Sequence, residues 1–127
     1  MKYKKLMRKN PQNKDATPKF YAAPVNSGKV TLDNLAARIE RTSSLSRGDV
    51  LNVLSCLLDE IPEYLKDGKS VQLGDFSTMR LSFSSEGVDK EEDVNAGLIK
   101  EIRVIFTPGP KLKNELKRTS FEEQKQQ

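Results

Sequence analysis

With 127 residues, 35% hydrophobic and 31% charged, no Trp, three Tyr and five Phe, the chain suits one two-layer domain with tails but gives a monomer little apolar material to bury. The absence of His, the single Cys and the lack of a Gly-rich phosphate loop exclude a Cys/His zinc cluster, an ordinary nucleophile–base pair and an intramolecular disulfide, so no enzyme activity, metal or cofactor is expected. The net charge of +4 is unevenly placed: Lys2, Lys4, Lys5, Arg8, Lys9, Lys14, Lys19 and Lys29 face only Asp15 within residues 1–30, a local +7 that leaves −3 for the rest.

The start MKYKKLMRKN is followed by polar residues instead of the apolar core of a signal peptide. No apolar run approaches the roughly 18 residues of a membrane span. A soluble cytoplasmic protein is the expectation. Within a basic extension over residues 1–29, Tyr3–Met7 and Phe20–Ala23 are short β-tolerant runs separated by the polar, turn-forming Asn10-Pro11-Gln12-Asn13-Lys14-Asp15, which allows a hairpin or an ordered arm.

Pro24 and Asn26-Ser27-Gly28 break the chain before the first helix, residues 31–42. Thr31 is a good N-cap, Asp33 suits the helix dipole, and Leu32, Leu35, Ala36 and Ile39 form one apolar stripe to be buried. A second helix starts at Ser46, where Asp49 stands in the capping-box position. Its stripe of Val50, Leu54, Leu57, Leu58, Ile61 and Leu65 is widened by Val53 and Tyr64 beyond what one short neighbouring helix covers. The lone Cys56 lies in this run and reads as a small buried thiol. Pro62 removes a donor and crowds the Leu58 carbonyl, so a kink or break is expected there before the turn at Asp67-Gly68.

From Ser70 the period changes from 3.6 to 2. Val71 and Leu73 alternate with Gln72, Met79, Leu81 and Phe83 with Arg80 and Ser82, and Ile102, Val104 and Phe106 with Arg103, Ile105 and Thr107, which predicts a three-stranded antiparallel sheet with one wet face. The connection from Ser84 to Glu101 is long and acidic, carrying Glu86, Asp89, Glu91, Glu92 and Asp93. After Thr107-Pro108-Gly109-Pro110 a short helix follows, with Pro110 in its first turn and Leu112 and Leu116 on one face. The tail, residues 119–127, has nothing to pack and is expected to fray.

GKSVQLGDFSTMRL, Gly68 to Leu81, is similar to the G-x-x-V-x-L-x-G-F-G-x-F core of the bacterial HU and integration host factor family, and FTPGPKLK, Phe106 to Lys113, to its F-x-P-G-K-x-L-K ending. The chain resembles that family over residues 30–118, and its extension and acidic arm resemble the longer HU-like proteins of Bacteroides-type bacteria. The resemblance implies an α+β fold: two N-terminal helices, a three-stranded antiparallel sheet with a long arm over residues 84–101, and a short C-terminal helix, built as an intertwined dimer. It further implies a saddle of two sheets whose arms embrace the DNA minor groove. The second helix would then bury its wide stripe against the other subunit.

The departures narrow that mechanism. Span 84–101 has no proline and no arginine, so kinking of DNA by an intercalating Arg-Asn-Pro tip is not expected. Asp75 and Ser77 replace the glycines flanking the first phenylalanine, Met79 replaces the second phenylalanine, and Pro110 takes the place of the usual lysine, with Lys111 one position along.

Arg80 and Arg103, on the outward sheet face by alternation, are candidate phosphate contacts, with solvated strand charges as the alternative. Lys111 and Lys113 lie at a helix start whose backbone donors would also suit a phosphate. Lys4, Lys5, Arg8 and Lys9 could track a DNA backbone, or belong to a solubilising tail or an extra edge strand. Two functions follow. One is sequence-tolerant binding of double-stranded DNA in the nucleoid by a homodimer, or by a heterodimer with another HU-like chain. The other is an HU-fold protein-interaction or scaffolding module with weak or no DNA binding.

Overall fold

A computed structural model describes residues 1–125, and the chain divides into two compact units: residues 31–116, and a smaller one formed by residues 1–30 with residues 117 onward. In the larger unit, α1 spans Leu32–Thr42 and α2 spans Arg47–Lys66. The strands β3 (Val71–Leu73), β4 (Ser77–Ser85) and β5 (Ile99–Pro108) make an antiparallel sheet in that order, and α3 covers Pro110–Leu116.

Both long helices start on side-chain caps. The Asn34 N–H donates to the Thr31 hydroxyl at 3.2 Å, and the Asn34 amide oxygen accepts from the Thr31 N–H at 3.0 Å, a reciprocal box that satisfies two otherwise orphaned donors. At α2 the Asp49 N–H donates to the Ser46 hydroxyl at 3.1 Å. Asp33 and Arg47 form an ion pair that ties the starts of the two helices together. The hydrogen bond from Arg47 holds the Asp33 carboxyl below its ordinary pKa, and the same bond raises the guanidinium.

Of the kink or break expected at Pro62, the break does not occur: α2 continues for 20 residues with the proline inside it. Pro62 and Leu58 are both exposed, so water can satisfy the carbonyl that loses its donor. The helix stops at Gly68, which adopts φ = 80°, while Gly68 N–H donates to the Leu65 carbonyl and Lys69 N–H to the Tyr64 carbonyl. This pattern is a Schellman motif, and it requires a left-handed residue where glycine costs least.

The buried apolar side chains of the described residues are few: Ala36, Val50 and Leu65. The stripe of α1 is only partly covered, with Leu35 and Ile39 exposed, and on α2 Val53, Leu57, Leu58 and Tyr64 remain open. Cys56 is exposed as well, against the buried thiol expected from the sequence. The local apolar run put it on α2, but among the described residues its side chain is left open to solvent.

In the sheet, Val71 pairs with Met79, Leu73 with Ser77, Met79 with Phe106 and Leu81 with Val104. These residues share one face, where α2 packs against β3 and β4 and Ser77 is buried. Phe76 and Phe106 meet edge to face at 6.4 Å. Further along, Phe83, Val104 and Phe106 are each about half exposed. A bulge follows, where three steps along β5 match two along β4 between the Ser82–Arg103 and Ser84–Lys100 pairs, with Glu101 in the left-handed region at φ = 52°.

The strands reach further than the alternation indicated, to Ser85 and from Ile99, so the acidic connection shortens. Glu86 N–H donates to the Leu98 carbonyl at 2.9 Å, Lys100 pairs with Glu86, and Glu91–Asp93 and Ala96–Leu98 each form a 3₁₀ turn. Asp75 and Phe76, between β3 and β4, receive the start of α3: Gly109 N–H donates to the Phe76 carbonyl at 2.7 Å and Lys111 N–H to the Asp75 carbonyl at 3.2 Å. A Cβ on Gly109 would lie 2.1 Å from the Asp75 oxygen, so only glycine fits there.

The smaller unit is a three-stranded sheet in the order β2 (Lys19–Pro24), β1 (Lys2–Arg8), β6 (Glu122–Glu123). Here the frayed tail gives way to structure. β6 pairs in parallel with Lys2 and Tyr3, through Glu122 N–H to the Met1 carbonyl at 3.0 Å and Gln124 N–H to the Tyr3 carbonyl at 2.8 Å. One of its acids also meets a lysine of β1, with Lys5 Nζ 3.3 Å from the Glu123 carboxylate. Tail residues 126–127 lie outside the described residues.

Candidate nucleic-acid interface

The strand register decides which cations can act together. Arg80 sits opposite Ile105 and Arg103 opposite Ser82, so the two arginines are diagonal neighbours on one face of the β3–β4–β5 sheet, reversed from Met79, Leu81, Val104 and Phe106. Both are exposed, and among the described residues no carboxylate lies within ion-pair distance of either. Their guanidiniums therefore keep their full donor sets for an external anion. Lys100, opposite Ser84, shares this face beyond the bulge but is engaged by Glu86.

Lys111 and Lys113 are exposed on the first turns of α3. The backbone donors expected to accompany them are already spent: Lys111 N–H on the Asp75 carbonyl and Lys113 N–H on the Gly109 carbonyl at 3.0 Å. Only their ammonium groups can meet a phosphate. The helix start is turned inwards because Gly109 must pack on the Asp75–Phe76 turn, and no periodicity in the sequence signals that contact.

In the smaller unit the β1–β2 register sorts the basic extension into two faces. Lys4 pairs with Ala23, Leu6 with Tyr21 and Arg8 with Lys19, so Lys2, Lys4, Arg8, Lys19 and Tyr21 share one face. Lys5 lies on the other with Tyr3, Met7 and Phe20, and it is the cation that Glu123 engages. Lys9 follows the strand end beside Arg8. Lys2 and Lys19 thus join the basic face although sequence reading did not single them out. Lys2 was legible from alternation with Lys4, but Lys19 needed the pairing of two strands ten residues apart.

A family profile described as an HU domain fused to wHTH, Ig, or glycine-rich motif matches residues 1–123. The chain belongs to this HU family. The match includes the β1–β2 extension as well as the helices and sheet of the HU-like unit. A crystal structure at 2.25 Å of a protein from Bacteroides vulgatus ATCC 8482, provisionally assigned as a bacterial DNA-binding protein, superposes with a TM-score of 0.62 at 19% identity. The match covers 96% of this HU-like chain and 47% of that one, so the chain spans about half the length of its structural neighbour. The likeness shows a shared fold. No curated protein sequence matches.

Proposed function

We propose that this chain is a non-enzymatic, HU-like protein that binds double-stranded DNA as a dimer, largely without sequence preference, and contributes to nucleoid organisation in the cytoplasm. The observation that carries the reading is the pair Arg80 and Arg103: unpaired cations on one face of the HU-like sheet, backed by an apolar face. Two guanidiniums at fixed strand positions suit phosphate oxygens, and in this reading affinity comes from counterion release and duplex shape. Lys111 and Lys113 extend this surface through their ammonium groups. Lys4, Arg8 and Lys9 add general attraction for a polyanion, whereas Lys5 is engaged by Glu123.

Surface the chain leaves open supports the dimer reading. Val53 at 61%, Leu58 at 52% and Phe106 at 49% exposure are large apolar groups with no cover from their own chain, and a symmetric partner would cover them with the same patch. A homodimer, or a heterodimer with another HU-like chain, satisfies this equally. Among the described residues no helix is long and apolar enough to cross a membrane, and no membrane partner is invoked.

Titration of a labelled duplex at low and moderate salt tests the proposal. Binding should weaken as salt rises, and Arg80→Gln with Arg103→Gln should flatten the salt slope by about 0.9 for each phosphate no longer neutralised. Absence of duplex binding at either salt refutes it. A second reading, a protein-interaction module, draws on the exposed acids Glu86, Asp89, Glu91, Glu92 and Asp93. Charge reversal at Arg80 and Arg103 that leaves duplex affinity untouched would favour it.

A further inference from the structure

The β1–β2 hairpin carries a feature that duplex binding by the HU-like sheet does not use. Arg8 and Lys19 are directly opposed in the register, which holds two cations side by side at about 5 Å between their Cβ atoms. Like charges so placed repel, and among the described residues no carboxylate lies within ion-pair distance of either. The pair lines a groove of about 530 Å³, within the roughly 300–1,000 Å³ of small-ligand sites. Arg8, Lys9, Lys19, Asn10, Thr17 and Tyr21 line it, and the turn's own acid, Asp15, does not.

The groove is held open by an ordered turn. Gln12 N–H and Asp15 N–H donate to the side-chain oxygens of Asn10 and Asn13 at 3.0 and 3.1 Å, and Ala16 N–H donates to the Asn13 carbonyl at 3.2 Å. Tyr21 is half exposed and is the next residue on the same face as Lys19. Lys2, Lys4 and Arg8 continue from the groove along β1 at alternate positions, with Leu6 between, each step about 6.7 Å. An aromatic ring beside opposed cations, with Lys4 and Lys2 further along the same face beyond Leu6, matches a strand that offers a base to stack and phosphates to neutralise.

We propose that this face of the hairpin is a separate binding site for a single nucleic-acid strand, with one phosphate between Arg8 and Lys19 and the adjacent base stacked on Tyr21. A duplex keeps its bases stacked inside and could use only the cations, so Tyr21 sets the preference for a single strand. The site is distinct from the sheet surface of the HU-like unit and does not rest on it.

The test measures fluorescence anisotropy of the full chain with labelled oligo(dT) and, in parallel, with a duplex, at low and moderate salt. Arg8→Gln with Lys19→Gln should reduce the oligo(dT) salt slope by about 0.7, the one single-strand phosphate that the pair neutralises. Tyr21→Ala should weaken oligo(dT) binding about tenfold, and Tyr21→Phe should retain it. Arg80→Gln with Arg103→Gln should leave oligo(dT) affinity unchanged while weakening the duplex. No oligo(dT) binding by the unaltered chain, an equal effect of the Arg8/Lys19 changes on oligo(dT) and duplex, or an unaffected Tyr21→Ala variant would each overturn the proposal. Duplex binding that survives those results leaves the proposed function standing.

Discussion

Replacing Gly109 by alanine should be the most destructive single-methyl change in the HU-like unit. The added carbon would lie 2.1 Å from the Asp75 carbonyl oxygen, 2.6 Å from its carbonyl carbon and 3.1 Å from the Phe76 carbonyl carbon. All three are backbone atoms, so no side chain can swing aside and the two segments must separate. Separation threatens the Gly109–Phe76 and Lys111–Asp75 hydrogen bonds, each worth about 0.5–1.5 kcal/mol. Overpacking itself costs about 1–3 kcal/mol. Together these give a loss of about 2–6 kcal/mol, which for a unit of this size lowers the melting temperature by at least about 8 °C. Thermal unfolding followed by far-ultraviolet circular dichroism at one fixed protein concentration measures it, because association alone raises the midpoint. Gly87→Ala is the control: its Cβ meets nothing within 4 Å, and the change should stay within about 0.5 kcal/mol. A Gly109→Ala variant as stable as that control would refute the close packing of α3 on the β3–β4 turn. It would also refute the inward spending of the Lys111 N–H.

Three further outcomes are expected. Because Arg47 lowers the Asp33 pKa, the pair stabilises the fold above the ordinary value of 3.8 and loses that contribution as pH falls through the lower folded value. Asp33→Asn should therefore be less stable than the parent at neutral pH and converge with it in acid, as read from urea midpoints. Pro62→Ala should raise stability by about 1–3 kcal/mol, since it restores a helical donor at an exposed position; a lower urea midpoint would refute the view that the proline is a net cost to α2. Leu58→Arg places a charge in the open stripe of α2 and should convert a dimer to a monomer in size-exclusion light scattering, while a surface that faces only water would show no change.

Local chemistry was largely readable. Thr31 and Ser46 begin helices because their hydroxyls can accept from the N–H three residues on, and that offset is visible in any sequence. The two faces of β4 and β5 followed from alternation, which put Arg80 and Arg103 on the same side of the sheet without reference to any distant segment. Family membership was also legible, because the Gly68–Leu81 and Phe106–Lys113 segments carry turn glycines at positions where backbone geometry demands them. Of the kink or break expected at Pro62, the break did not occur; the carbonyl that loses its donor lies at an exposed position where water can satisfy it.

What the amino-acid order determined by itself was thus the kind of each element and the side to which each polar residue turns, since both depend on neighbours within about one helical turn or strand pair. Tertiary structure alone decided which distant segments meet: β6 on β1, Glu123 on Lys5, Lys19 opposite Arg8, and the Asp75 carbonyl on the Lys111 N–H. Those meetings separate free cations from spent ones. They depend on chain closure over long sequence separations, which no local periodicity encodes. Of the basic residues in the extension, the fold engages Lys5 with an acid and leaves Arg8 and Lys19 side by side without one, a division that net charge could never reveal.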